Sequence, residues 1–239
     1  MRTLSMGAGV QTTAMLIKYN KVYDYVIFSD TGAEMPETYW YIENYLKPFC
    51  KEIGVKWQTV KDEKTTLYDE CWDKRITPIL STRHCTVTYK IHPIRRFLRS
   101  VGANSRHPAL VDIGFSLDES HRFNPNPKHR VHYEKLNFPL LDDKITREQC
   151  KEIIKKKGWP IPPKSGCYFC GFSKLHHFRK LKAEHPELFK KAMELEKNAS
   201  MYPRKTIKSE MKLENMESNM LDNYIDEEPA TCDTGHCFV

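Results

Sequence analysis

The chain has 239 residues, 40% hydrophobic and 29% charged, a composition that excludes disorder throughout and allows one or two folded cores. It has no run of eighteen apolar residues, which excludes a membrane-spanning helix, and no leader-like start, so a cytoplasmic protein with no membrane partner is expected. A net charge of +7 suits a solvated surface or attraction to phosphate, and 8 cysteines without a secretory leader favour metal or redox chemistry over a disulfide framework.

Residues 2–5 and 24–29 read as short buried strands. Between them, residues 12–18 have helical apolar spacing after a glycine-containing turn. Strand, loop, helix and strand make a βαβ unit, which requires a parallel sheet covered by helices. Residues 37–53 read as a second helix, with Pro36 near its first turn. Residues 55–60 alternate as a third strand. Helix 92–100 starts around Pro93 with Ile94, Phe97 and Leu98 on one face, and residues 109–114 form another strand. Residues 116–132 are polar, contain Asn124-Pro-Asn-Pro127 and read as a long loop. A helix over 146–157 is capped by Thr146 and stopped by Gly158. Residues 173–198 are helical and charged, interrupted near Pro186. The expected fold class is α/β, a Rossmann-like parallel sheet flanked by helices over 1–140, followed by a helical, cysteine-bearing region over 141–239.

Three segments carry chemistry. Ser5-Met-Gly-Ala-Gly-Val-Gln-Thr-Thr13 follows a strand and opens a helix. Its small residues let backbone amides approach a phosphate, and the helix N-terminus adds positive potential; a plain tight turn is the alternative. It is neither a Walker P-loop nor GxGxxG. The second strand ends in Ser29-Asp-Thr-Gly-Ala-Glu-Met-Pro-Glu-Thr38, which faces the same crevice at the carboxyl ends of the strands. Cys167-x-x-Cys170, flanked by Gly166 and Gly171, has metal-knuckle spacing and needs two further ligands for a tetrahedral ion or a cubane. His84, His176 and His177 are near enough in sequence to complete a zinc site, whereas Cys50 and Cys71 read as packing residues. Arg95, Arg96 and Arg99 recur at helical spacing as a basic face, for phosphate, nucleic acid or solvent.

Taken in order, these motifs resemble the phosphoadenosine phosphosulfate (PAPS) reductase branch of the PP-loop, adenine nucleotide α-hydrolase-like superfamily. The resemblance rests on Ser5–Thr13, Asp30–Glu43, Cys85–Pro93, Ile113–Arg122, Asn137–Leu140 with Ile145–Cys150, and Lys164–Cys170. It implies an adenine nucleotide, ATP or PAPS, with Mg, in a phosphate cradle of Ser5, Gly7, Gly9, Gln11, Thr12 and Thr13. It places Asp30, Thr31, Gly32, Glu119 and Arg122 near the nucleotide and turns Lys90 towards its phosphates. Gln11 stands where the PP-loop pattern has an acidic residue, and Phe115 where the reductases often carry Arg. The resemblance also implies an iron–sulfur cluster of the 4Fe–4S kind, with zinc as the alternative. Its ligands would be Cys85, Cys167 and Cys170, with Cys150, Cys232 or Cys237 as the fourth, or with one iron left open. The tail Cys232-Asp-Thr-Gly-His-Cys237 is similar to the reductases' C-terminal thiol segment, whose cysteine attacks the sulfonyl sulfur. Cys232, Cys237 and Lys90 are therefore the expected catalytic residues of an oxidoreductase or sulfurtransferase. Two reactions fit: reduction of an adenylyl sulfate with a thiol reductant, or ATP-dependent sulfur insertion into DNA or tRNA with a sulfur-donor protein. A non-catalytic nucleotide- or nucleic-acid-binding module with a zinc knuckle is the third reading.

Overall fold

A computed structural model of the chain describes residues 1–78, 83–122, 131–199, 207 and 212–213. Strands β1 (Arg2–Met6), β2 (Tyr25–Asp30), β3 (Lys56–Lys61), β4 (Ala109–Asp112) and β5 (Glu134–Asn137) pair in parallel in the order β3-β2-β1-β4-β5. The expected α/β class is thus observed. Parallel neighbours need crossovers, and α1 (Val10–Lys18), α2 (Pro36–Tyr41), α3 (Lys47–Glu52), α4 (Leu67–Asp73), α5 (His84–Thr86) and α6 (His92–Ser100) serve in these, while α7 (Pro139–Asp142), α8 (Arg147–Lys156), α9 (Leu175–Glu184) and α10 (Pro186–Asn198) follow the last strand. Among the described residues, no helix is long and apolar enough to cross a membrane.

The chain runs outward from β1 through β2 to β3, then crosses back to β4 on the other flank of β1. Strand order therefore reverses between β1 and β4, which opens a crevice at their carboxyl ends. Central β1 and β2 are buried on both faces and read as apolar runs, while edge strand β3 is largely half-exposed or exposed. Asp112, fully buried, ties three strands together: it accepts from Arg2 Nη2 of β1 at 2.8 Å and from Asn137 Nδ2 of β5 at 2.8 Å.

Leu4, Met15, Leu16, Val26, Phe28 and Leu46 fill one face of the sheet, and Cys150 and Ile154 of α8 join them. Helix α8 lies against α1, so the 140/141 division expected from sequence runs through a shared core. Ile27, Ile94, Leu98 and Val111 fill the other face. A third cluster gathers Phe169, Phe178, Leu181, Phe189 and Leu195 around the cysteine knuckle.

The single helix expected over 37–53 is continuous but changes pitch: α2 and α3 are joined by a π-helical turn at Ile42–Leu46. Pro48 has no N–H for the carbonyl four residues back, and the turn before it widens. The same happens at Val87–Ile91, just before Pro93. There the Tyr89 carbonyl, which Pro93 cannot serve, accepts the Ser29 hydroxyl at 2.7 Å. Helix α8 bears out the Thr146 cap with a full capping box, Thr146 against Gln149. The polar loop over 116–132 begins with a 3-10 turn at Leu117–Arg122, and residues 123–130 lie outside the described ones. Strand β5 is an addition to the sequence reading.

Candidate functional site

The cleft forms where the turns after β1, β2 and β4 meet. After β1, Ala8 is fully buried with φ +55, and Gly9 begins α1 with an extended backbone and no side-chain cap. No acidic residue sits in the first turn of α1, so the positive end of this helix is uncompensated from within it. Ser5 Oγ and Thr13 Oγ1 are buried without hydrogen-bond partners among the described residues. Thr12 Oγ1 donates to the Gly9 carbonyl at 3.3 Å. The turn after β4 presses on this helix start: a Cβ on Gly114 would stand 2.7 Å from Thr12 Cγ2, so no side chain fits there. From the other side, Ser165 Oγ would lie 3.1 Å from a Cβ on Gly9.

The turn after β2 holds the knuckle. Gly32 adopts φ +72 with Thr66 Cγ2 only 2.9 Å from where a Cβ would be, which makes glycine obligatory. Glu34 and Cys167 pair as an isolated antiparallel bridge, flanked by Met35 N–H to Gly166 O at 3.2 Å and Tyr168 N–H to Ala33 O at 2.9 Å. Thr31 Oγ1 lies 3.3 Å from Cys167 Sγ and donates to Glu34 Oε1 at 3.4 Å. Lys90 Nζ, on the π turn, lies 3.8 Å from the same Glu34 oxygen. Burial, and then the Glu34 charge, hold the Cys167 thiol well above its ordinary pKa, while Lys90 pulls it back. Cys85, Cys167 and Cys170 all line this cleft, whose volume is about 190 Å³.

Three chain segments meet at the cleft's far end. Gln11 Nε2 donates to Glu119 Oε2 at 2.9 Å, and Gln11 Oε1 accepts from Arg147 Nη1 at 3.0 Å. Arg147 is fixed in turn by its N–H to Asp118 Oδ2 at 2.6 Å. A neutral amide thus bridges a guanidinium and a carboxylate.

Of the residues singled out in the sequence, Ser5, Gly7, Gly9, Gln11, Thr12, Thr31, Lys90, Glu119, Cys85, Cys167 and Cys170 line the cleft. Thr13 lies behind it in the core. Asp30 and Gly32 are not among its lining residues: Asp30 Oδ1 accepts from Gly32 N–H at 2.8 Å and from Tyr39 OH at 2.6 Å. Cys150 is corrected as a fourth ligand. Its side chain is fully buried in the sheet core with Leu140 and Ile154, apart from the cluster holding the other three thiols, and burial pushes it up to about 12. The Arg122 side chain, Cys232 and Cys237 lie outside the described residues. His177, an expected zinc candidate, holds the knuckle instead: its Nε2 lies 3.1 Å from the Tyr168 carbonyl, and burial lowers its pKa to about 4. His84 lies 3.2 Å from Glu70.

Arg83, Arg147, Lys164 and Ser165 line the cleft without having been singled out as site residues. Arg83 takes φ +51 and sets its guanidinium 4.9 Å from the Phe172 ring centre, so two lining residues close one side together. Chemically, the cleft offers buried hydroxyls and a helix start to an anion, cations in Lys90 and Arg147, and three soft thiol donors. That donor set fits a thiophilic metal or an iron–sulfur centre in kind, with three ligands drawn from the described residues.

No family model matches the sequence. The chain is similar to an uncharacterized protein of Methanocaldococcus jannaschii, with 24% identity over 206 residues covering 78% of this chain. It spans only 45% of the length of that curated relative. Among solved structures it is similar to a PAPS reductase from Candida auris in a phosphate complex, with 15% identity and a TM-score of 0.47, over 67% of this chain and 74% of that one.

Proposed function

We propose that this protein is an enzyme of the PAPS-reductase kind that holds the phosphate end of an adenine nucleotide at the turn after β1 and performs sulfur chemistry at the thiols beside it. One observation carries the reading: the uncapped start of α1 and the three thiols Cys85, Cys167 and Cys170 line a single cleft. The buried Ser5 hydroxyl, without a partner among the described residues, suits a phosphate oxygen. Lys90 and Arg147 would balance phosphate charge, with Glu34 and Gln11 holding their side chains. An iron–sulfur centre on the three thiols would supply a relay for electrons or sulfur, its remaining position open or taken by a tail cysteine. Thr31 and the Glu34–Cys167 bridge orient Cys167 towards the cleft.

The test is calorimetric titration with ATP, PAPS and adenylyl sulfate, beside iron, zinc and sulfide analysis of anaerobically purified protein. Binding of one of them with Kd below about 1 mM is expected, weakened in Ser5→Ala and Lys90→Met. Iron with sulfide is expected, lost in Cys167→Ser. Failure of all three nucleotides to bind sinks the reading, and a single zinc without sulfide reduces the knuckle to a structural clip.

A second reading, sulfur insertion into nucleic acid, is favoured by the trough along α6. His92, Arg95, Arg96 and Arg99 line an open cavity of about 660 Å³, with the Arg99 guanidinium 5.8 Å from the Tyr133 ring centre. Helix α6 follows Lys90 almost directly, so the trough starts at the cleft's edge. Single-stranded DNA or tRNA binding with a steep salt dependence, flattened in Arg96→Ala with Arg99→Ala, is the expected result. Salt-independent or absent binding leaves the adenylyl-sulfate reaction alone.

A further inference from the structure

Away from the cleft, one set of three ligand-type side chains among the described residues has donor atoms all within 4.8 Å of one another: Glu37, Glu184 and His185. They converge from separate elements. Glu37 lies in the first turn of α2, directly after the loop that holds the knuckle; Glu184 ends α9; His185 is the corner between α9 and α10. Pro186 sets that corner, because a residue before proline is pushed out of helical geometry, and His185 takes φ −137 and ψ 63. Its Nε2 comes 3.2 Å from Glu37 Oε1, while its Nδ1 lies 4.0 Å from Glu187 Oε1. One ring nitrogen therefore faces the other two ligand-type side chains, and the other faces the Glu187 carboxylate from beyond hydrogen-bonding distance. Glu37 Oε2 is buried with no hydrogen-bond partner among the described residues, although Oε1 of the same carboxylate has several neighbours. Lys180 Nζ lies 3.9 Å from Glu37 Oε1 and 3.5 Å from Glu184 Oε2, on a half-exposed side chain free to swing outward. Its one ammonium leaves the two carboxylates with negative charge in excess.

We propose that Glu37, Glu184 and His185 form a site for a divalent first-row transition ion, completed by water, that staples the α9–α10 corner to the start of α2. Two carboxylate oxygens and one imidazole nitrogen, without a thiolate, suit Mn²⁺ or Zn²⁺. The bound ion displaces the Lys180 ammonium and gives the buried Glu37 Oε2 a partner. The site lies apart from the cleft thiols and stands whether or not those thiols hold a metal.

The probe is Mn²⁺, which disfavours thiolates, titrated into the full-length protein and followed by loss of the free-ion EPR signal. A single saturable Mn²⁺ with Kd below about 1 mM is expected. Glu37→Gln and His185→Gln weaken it by about tenfold or more, and Cys170→Ser leaves it unchanged. Lys180→Met keeps all three ligands and tightens binding, so the site remains readable even where a ligand variant fails to fold. Absence of saturable binding, binding indifferent to folded His185→Gln, or no tightening in Lys180→Met overturns the site and leaves an ion-pair cluster of Lys180, Glu37 and His185.

Discussion

Gln11 has both ends of its amide engaged, one by Arg147 and the other by Glu119, in a buried setting. Gln11→Ala leaves these two groups without their bridge, and loss of about 1–3 kcal/mol is expected from chemical denaturation. Gln11→Glu sets a second carboxylate against Glu119 and should destabilise further at neutral pH than at pH 4, where protonation relieves the repulsion. The sequence marks Gln11 as a departure from the PP-loop pattern. Its partners were not legible, because they arrive from more than 100 positions away in the chain. His177 behaves similarly: it is a zinc candidate by spacing and a half-buried clamp by packing. Burial is the larger influence on its ring and lowers the folded pKa to about 4 from 6.5, against the raising effect of the Tyr168 carbonyl. The unfolded chain therefore takes up this proton first as pH falls. Stability should decline between pH 6.5 and about 4, by at most about 3 kcal/mol, and level off below. In His177→Gln, which can still donate to the carbonyl but does not titrate, that part of the denaturation profile should be flat.

At the scale of elements, the two π turns show how proline acts inside helices that remain continuous. Pro93 withdraws a donor from the Tyr89 carbonyl, and Ser29 at the end of β2 supplies one at 2.7 Å. This contact fixes the turn bearing Lys90 to the strand whose end forms the second loop. Ser29→Ala should cost about 1–3 kcal/mol in thermal or denaturant unfolding by leaving a buried carbonyl unpaired, and it should weaken anion binding as Lys90 loosens. Loss of stability with unchanged anion affinity would separate the two roles. Helix α8 was legible in sequence through its Thr146 cap and its Gly158 stop, and the Gln149 half of the capping box emerges only in the structure. Strand β5 was not, because Glu134-Lys-Leu-Asn137 has little apolar signal. It is held by pairing with β4 and by Glu134 meeting Arg95 at 2.7 Å, both long-range facts.

At the scale of the whole molecule, the parallel sheet and its reversal between β1 and β4 explain why distant motifs share one cleft. The first βαβ unit was readable from apolar runs around a glycine turn. The position of the cysteine knuckle was not, because CxxC spacing specifies a local turn and nothing about which loop receives it. Cys50, Cys71 and Cys150 lie in the cores and are pushed up to about 12, and burial also raises Cys167, so iodoacetamide should leave all four unmodified in the native protein at pH 8. Mass mapping that finds Cys150 alkylated before unfolding would contradict its place against α1.

The bridge between Glu34 and Cys167 also sets an order of events during synthesis. The turn that receives the knuckle belongs to the first βαβ unit, and that unit leaves the ribosome long before Cys167 does. Chains are made from the N-terminus, and domains fold as they emerge. The late cysteines therefore arrive at a receiving edge already built, with Cys85 waiting beside it. A ribosome stalled after residue 150 would hold the turn after β1 and Cys85, one of the three cleft thiols, but no knuckle. Any metal that needs all three thiols belongs to the last act of assembly, after the sheet has closed.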